Sequence, residues 1–189
     1  VLTGVGAVIH AAEVEPGATV VVIGCGGVGL SVISGARIAG AGRIIAVDML
    51  DSKLELAKTL GATDVINAGK EDPVAKVIEM TDGGVQYSFE ALGLKPTAEQ
   101  AFAMLRMGGT ATILGMFKPG EKLELEASFF IKDRKIQGSS MGSNRFRVDI
   151  PNLLNFYQQG RLDLDHLISS RIDLSEINEA FANLKSGAP

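Results

Sequence analysis

The sequence predicts a doubly wound α/β fold, in which a six-stranded parallel sheet carries helices on both of its faces. Short apolar runs that suit buried strands alternate along the chain with stretches of helical periodicity. The run Val20-Val21-Val22-Ile23 comes first, and a glycine-rich turn at residues 24–29 follows it directly and opens a helical pattern. A strand, a tight turn and a helix in this order form the first unit of such a sheet.

The first predicted element is a helix within residues 1–12, which are mostly small and apolar. Asp51 and Ser52 are suited to cap the helix that Gly61 then ends. Strands are expected at residues 19–24, 43–48, 64–67, 85–90, 110–114 and 135–140. Helices are expected at residues 27–40, 51–60, 72–80, 97–107, 149–159 and 175–186, with a short helix near 126–132 and an extended segment at 167–172.

Composition indicates a single globular domain over residues 1–189, with 46% hydrophobic and 21% charged residues. A net charge of −4 argues against nucleic acid as a partner. The sequence has neither an apolar run long enough to span a bilayer nor a signal peptide, so we expect a cytoplasmic protein without a membrane partner. The single cysteine, Cys25, excludes an internal disulfide and a multi-cysteine zinc site in this chain.

The glycine turn and the next strand together predict a dinucleotide site of the Rossmann type. Gly24 suits the tight turn, Gly26 lets the pyrophosphate approach the backbone, and Gly29 lets the helix pack on the strand. Amides at the helix start, including that of Gly27, would face the phosphates. Asp48 ends the second strand about 20 residues further on, where a ribose-binding acid is expected. The alternatives are a purely structural glycine turn and a methyltransferase loop.

Landmarks along the whole chain make it similar to the coenzyme-binding domain of zinc-dependent, medium-chain alcohol dehydrogenases. The resemblance implies an oxidoreductase domain that favours NAD over NADP, because the Asp48 carboxylate would bind the adenosine ribose and repel a 2′-phosphate. Lys53 matches a basic residue near the same ribose, although it could also be an ordinary solvated lysine. The landmarks lie at residues 24–33, 44–48, 61–63, 83–85, 88–90, 93 and 177–181.

The same resemblance implies contacts for the rest of the cofactor. Met49 and Leu92 would enclose the adenine, unless they are simply core residues. Val28 would lie behind the nicotinamide ring, and Thr3 would touch it from the first helix. Main-chain groups would hold the carboxamide, and the matching positions are Leu114, Ser139 and Met141.

The family's catalytic chemistry needs a zinc ion, and its ligands are missing from this sequence. His10 and His166 stand apart from any cysteine at ligand spacing, and Cys25 suits a small spacer in the glycine turn. We therefore expect this chain to be the cofactor domain of a longer, zinc-dependent enzyme that acts on an alcohol or aldehyde. Alone it should bind NAD(H) but have no dehydrogenase activity.

The family resemblance also implies a homodimer through the edge strand at residues 135–140. The alternative is an edge shielded by the charged residues 132–135.

Other classes of protein fit less well. A zinc-free quinone or enoyl reductase usually takes NADPH and lacks the acid at Asp48. A short-chain dehydrogenase needs a lysine four residues after its tyrosine, whereas Arg161 follows Tyr157. A stand-alone nucleotide-binding module remains as the non-enzyme alternative.

Overall fold

The computed structural model describes residues 1–183 in full and the helical backbone of residues 184–186. Six parallel strands form one sheet in the order β3-β2-β1-β4-β5-β6, which is the doubly wound order with its reversal between β1 and β4. The predicted fold class is confirmed. The strands are β1 (Thr19–Ile23), β2 (Arg43–Asp48), β3 (Asp64–Asn67), β4 (Val85–Glu90), β5 (Leu105–Ile113) and β6 (Lys135–Gly138).

Helices connect the strands and cover the sheet. The first helix continues into a π-helical turn, Ala7–Ala11. Short 3₁₀ turns lie at Ala127–Lys132, Met141–Ser143, Asp165–Leu167 and Leu174–Glu176. The α-helices are α1 (Leu2–Gly6), α2 (Gly27–Ala39), α3 (Asp51–Leu60), α4 (Pro73–Met80), α5 (Lys95–Ala103), α6 (Phe146–Gln158) and α7 (Ile177–Ser186). Within residues 1–186 there is no helix with the length and apolar character needed to cross a membrane.

Strand β1 lies in the centre of the sheet and is buried on both faces. Val20 and Val22 belong to one apolar cluster, which includes Ile33 of α2. Val21 and Ile23 belong to a second cluster on the other face, which includes Phe102 of α5. A strand covered on both faces is apolar at every position, which explains the unbroken run of branched residues.

The predicted boundary between α5 and β5 is wrong. The helix ends at Ala103 and not at residue 107, and the strand begins at Leu105 and not at residue 110. Met104 and Leu105 are fully buried, and Val85 N–H donates to the Met104 carbonyl over 2.9 Å. Pairing with β4 therefore outweighs the helical pattern of this segment.

The predicted cap of α3 is also wrong, since Leu50 is the N-cap and no side chain caps the helix in the described structure. The Asp51 carboxylate instead accepts hydrogen bonds from Lys70 Nζ at 2.7 Å and Asn67 Nδ2 at 2.6 Å. Both hydrogen bonds lower the pKa of Asp51, and the bond from Lys70 has the larger effect. Gly61 ends the helix as expected, at φ 121°.

Candidate cofactor site at the carboxyl edge of the sheet

The glycine turn, residues 24–29, contains two glycines that the fold itself requires. Gly24 has φ 93°, and its N–H donates to the Val47 carbonyl over 2.8 Å. A Cβ atom at Gly29 would lie 1.7 Å from the Gly24 carbonyl oxygen, so a side chain cannot be accommodated there. Gly29 therefore sets the close packing of α2 against the end of β1.

Two other glycines of this turn have no such structural reason. Gly26 has φ −80° and ψ −174°, which any residue can adopt. A Cβ atom at Gly26 or Gly27 would meet nothing within 4 Å, and both residues are exposed. They keep an open approach to the start of α2, where no side chain of the described residues caps the helix. Unpaired amides at such a helix start suit an anion.

A hydrogen bond holds the Asp48 carboxylate against the glycine turn. Its Oδ2 atom accepts a hydrogen bond from Cys25 N–H over 2.8 Å, and its Oδ1 atom accepts one from Leu50 N–H over 3.1 Å. The side chain is partly exposed, and a carboxylate oxygen can accept more than one hydrogen bond. The carboxylate can therefore receive two neighbouring hydroxyl groups beside the open glycines.

Cys25 is buried behind this turn and does not suit nucleophilic chemistry. Burial, followed by the charge of Asp48, raises the pKa of its thiol to about 12. The charge of Lys53 acts on the same thiol in the opposite direction, so Lys53 belongs to the electrostatic surroundings of Asp48.

The predicted adenine residues lie at the rim of the sheet and are not core residues. Met49 is 69% exposed and follows Asp48 directly. Leu92 is 47% exposed, and a Cβ atom at Gly24 would lie 2.6 Å from its Cγ atom. The structure thus brings Leu92 against the glycine turn, whereas Met49 stands beside Asp48.

The predicted nicotinamide residues meet where α1, α2 and the turn after β6 come together. A Cβ atom at Gly4 would lie 2.6 Å from the Val28 carbonyl, so α1 packs closely on the start of α2. A Cβ atom at Gly142, next to Met141, would lie 2.7 Å from the Thr3 carbonyl.

Leu114 and Ser139 lie at the ends of neighbouring strands. Leu114 N–H donates to the Glu90 carbonyl over 2.8 Å, and Ser139 N–H donates to the Ile113 carbonyl over 3.2 Å. Leu114 and Ser139 therefore lie at the same carboxyl edge of the sheet as Asp48 and Leu92.

Sequence reasoning assigned no role to two residues at this edge. Asn144 donates to the Leu2 carbonyl over 2.9 Å and so joins the turn after β6 to α1. Glu90 is buried at the end of β4, directly beside β1. Glu90 could have been noticed, because an acid at the end of a buried strand is the same signal that identified Asp48.

The described residues do not fit a zinc ion. They contain no group of three or more His, Cys, Asp or Glu side chains that could hold a metal. His10 instead pairs with Asp149 at 3.2 Å, and His166 pairs with Asp163 at 2.6 Å.

The sheet order and the glycine turn define an α/β domain with a Rossmann-like fold. Residues 27–159 match the family model described as "Zinc-binding dehydrogenase". The chain belongs to this family, and it corresponds to the coenzyme-binding part of zinc-dependent, medium-chain alcohol dehydrogenases.

Relatives support this membership over nearly the whole chain. "Probable S-(hydroxymethyl)glutathione dehydrogenase 1" from Schizosaccharomyces pombe is 40% identical, over 99% of this chain and 50% of the relative. "Alcohol dehydrogenase-like 1" from Arabidopsis thaliana is 42% identical, over 99% of this chain and 49% of the relative. The chain thus spans about half the length of these curated relatives.

A solved structure has the same fold. Benzyl alcohol dehydrogenase from Acinetobacter calcoaceticus superposes with a TM-score of 0.95 at 38% identity, covering 98% of this chain and 51% of that protein.

Proposed function

We propose that this chain is the NAD(H)-binding domain of an alcohol dehydrogenase-like oxidoreductase. The observation that carries the proposal is the open space at Gly26 and Gly27, because neither position needs glycine for its own backbone or packing. A pyrophosphate approaching the uncapped start of α2 would need that space. The same open glycines would have no purpose in a purely structural turn.

The position and charge of Asp48 support the binding of NAD in preference to NADP. Its carboxylate is held in place by Cys25 and Leu50, and it stands beside the open glycines. Two ribose hydroxyls could donate to it, whereas a 2′-phosphate would bring a second negative charge into contact with it. Lys53 would then face the same ribose, and Leu92 and Met49 would supply apolar contacts to the adenine.

The nicotinamide end of the cofactor would lie at the junction of α1 and the turn after β6. Val28 and Thr3 would flank the ring, and main-chain groups of Leu114, Ser139 and Met141 would bind its carboxamide. Bound NAD⁺ would supply the chemistry by accepting a hydride from the substrate. The residues of this chain would orient the ring for that transfer.

The substrate and the zinc belong to the whole protein. The names of the relatives support an alcohol or aldehyde as the substrate. Because the described residues lack a metal site, we propose that this chain binds cofactor but has no dehydrogenase activity alone. Metal-dependent oxidation of an alcohol by the purified chain would contradict this. The cytoplasmic location stays a prediction.

We also propose a homodimer through β6, which is an edge strand of the sheet. Ile131 and Phe130, in the 3₁₀ turn before β6, are exposed apolar residues that such an interface would cover. A monomer at high concentration in sedimentation would argue against it.

The decisive experiment is calorimetric titration of the chain with NADH and with NADPH. We expect saturable NADH binding that is tighter than NADPH binding. Asp48→Ala should weaken NADH binding by about tenfold or more, as the loss of hydrogen bonds to a charged group implies. Glu71→Ala is the control, since it removes an exposed carboxylate with no role in the site.

Gly26→Ala separates ligand binding from folding. It should abolish tight NADH binding and leave the thermal midpoint of unfolding unchanged, because its Cβ atom meets only open space. The proposal fails if the wild-type chain binds neither nucleotide, if NADPH binds more tightly, or if Gly26→Ala binds NADH normally.

A further inference from the structure

Glu90 is a fully buried acid at the point where the order of the sheet reverses. It is the last residue of β4, its neighbour in β1 is Ile23, and its exposure is 0%. Its Oε1 atom accepts three hydrogen bonds: from Leu92 N–H at 2.9 Å, Gly93 N–H at 2.8 Å and Thr97 Oγ1 at 2.7 Å. One carboxylate oxygen therefore holds the turn that carries Leu92.

The other oxygen of this carboxylate has no structural partner. Oε2 is buried and lacks a hydrogen-bond partner among the residues that the structure describes. A Cβ atom at Gly115 would lie 1.9 Å from Gly93 N and 2.6 Å from Oε2, so both the neighbouring turn and the acid require glycine there. An unpaired, buried carboxylate oxygen is costly, and such a group needs an explanation.

Holding the turn does not explain the negative charge. The three donors all bind Oε1, and a glutamine would present the same single acceptor oxygen. The charge is thus more than the local structure needs. Departures of this kind are found at functional sites.

Hydrogen bonds place Glu90 between both parts of the proposed cofactor site. Its side chain holds Leu92 of the adenine side. Its carbonyl accepts hydrogen bonds from Leu114 N–H at 2.8 Å and Gly115 N–H at 3.2 Å. Leu114 is a position proposed for the nicotinamide carboxamide, and the carboxylate itself lies against the next residue, Gly115, so the buried charge is beside the segment that would carry the ring.

We propose that Glu90 shifts the relative affinity of this site toward the oxidised cofactor. The nicotinamide ring of NAD⁺ carries a positive charge that the ring of NADH lacks. A buried carboxylate attracts the cation, and low polarity around it strengthens the attraction. The inference rests on the proposed function, because it needs the nicotinamide to bind beside Leu114.

The test compares the affinities of one site for NAD⁺ and for NADH. Both are titrated calorimetrically into the wild-type chain, Glu90→Gln and the control Glu71→Gln, which neutralises an exposed acid. Glu90→Gln should raise the ratio of the NAD⁺ to the NADH dissociation constant by about tenfold, the size of one charge acting over about 10 Å at an effective dielectric constant of about 20. The control should leave the ratio unchanged.

Glu90→Asp distinguishes the effect of the charge from the effect of the hydrogen bonds that Glu90 accepts from the turn. It keeps the charge but shortens the side chain, so it should weaken binding of both cofactor forms and leave their ratio near that of the wild type. A role confined to structure would change both affinities alike in every variant.

Each remaining outcome is decisive. An unchanged ratio in Glu90→Gln overturns the inference while the proposed function stands. Failure of Glu90→Gln to fold, judged by thermal unfolding, also overturns it, because the charge would then be needed for the fold itself. A wild-type chain that binds neither form overturns the proposed function instead, and this inference with it.

Discussion

The glycine turn and the turn after β6 (residues 139–145) both lead from a strand end to a helix, yet they are held in different ways. In the glycine turn the left-handed backbone conformation falls on a glycine, Gly24. In the turn after β6 it falls on three consecutive residues, Met141, Gly142 and Ser143, with φ values of 52°, 78° and 53°. Two of these carry side chains, which makes the second conformation strained.

The supports of the two turns differ accordingly. In the glycine turn, Gly24 and Gly29 are in close contact within the turn itself, and bonds from Gly24 N–H and Cys25 N–H also join it to β2. In the turn after β6, Ser143 N–H donates to the Ser140 carbonyl within the turn, and Asn144 joins the turn to the Leu2 carbonyl of α1. The sequence signals of the first turn are therefore adjacent residues, whereas the second turn also depends on a segment at the other end of the chain.

The largest expected effect is that of Gly29→Ala, which breaks the local support of the glycine turn. A Cβ atom 1.7 Å from the Gly24 carbonyl forces the helix away from the strand. We expect a loss of at least about 3 kcal/mol in the free energy of unfolding, measured with urea. Gly27→Ala, which meets open space, should change it by less than about 0.5 kcal/mol. Equal stabilities for the two variants would refute the distinction between these glycines.

Asn144→Ala should have an intermediate effect, because it removes the external support of the second turn. Losing the bond to Leu2 should lower the free energy of unfolding by about 1–2 kcal/mol. Asn155→Ala, an exposed asparagine in α6, is the matched control and should be nearly neutral. If both variants unfold at the same urea concentration, α1 does not support this turn.

Ser143→Gly should have the smallest effect, in the opposite direction. Glycine relieves the strain at φ 53°, which should outweigh the loss of the exposed hydrogen bond between the Ser143 and Ser139 hydroxyls, so stability should rise by up to about 1 kcal/mol. Ser140→Gly, at φ −83°, relieves no strain and should be slightly destabilising, since glycine has more conformational freedom in the unfolded chain. A loss of stability in Ser143→Gly would argue that the turn is not strained.

The same difference explains how much the sequence could reveal. Strand β1, the glycine turn and α2 were predicted closely because their signals are adjacent residues. The start of β5 was missed because Leu105 becomes strand only by pairing with Val85 of β4. The predicted cap at Asp51 was wrong because Lys70 and Asn67 bind its carboxylate instead.

The roles of Asn144 and Glu90 depend on contacts that the sequence does not display. The bond from Asn144 to Leu2 spans 142 positions of the chain, so no local sequence pattern could predict it. The unpaired oxygen of Glu90 follows from burial under the turns at Gly93 and Gly115. Whether the aligned site residues bind a cofactor stays a prediction.

The reactivity of Cys25 can be used to measure how often the glycine turn opens. Because it is the chain's single cysteine and its thiol is buried with a pKa of about 12, a thiol reagent can reach it only when the glycine turn opens. The labelling rate of the native protein therefore measures the frequency of that opening. Slower labelling in the presence of a nucleotide would report occupancy of the turn without any engineered probe.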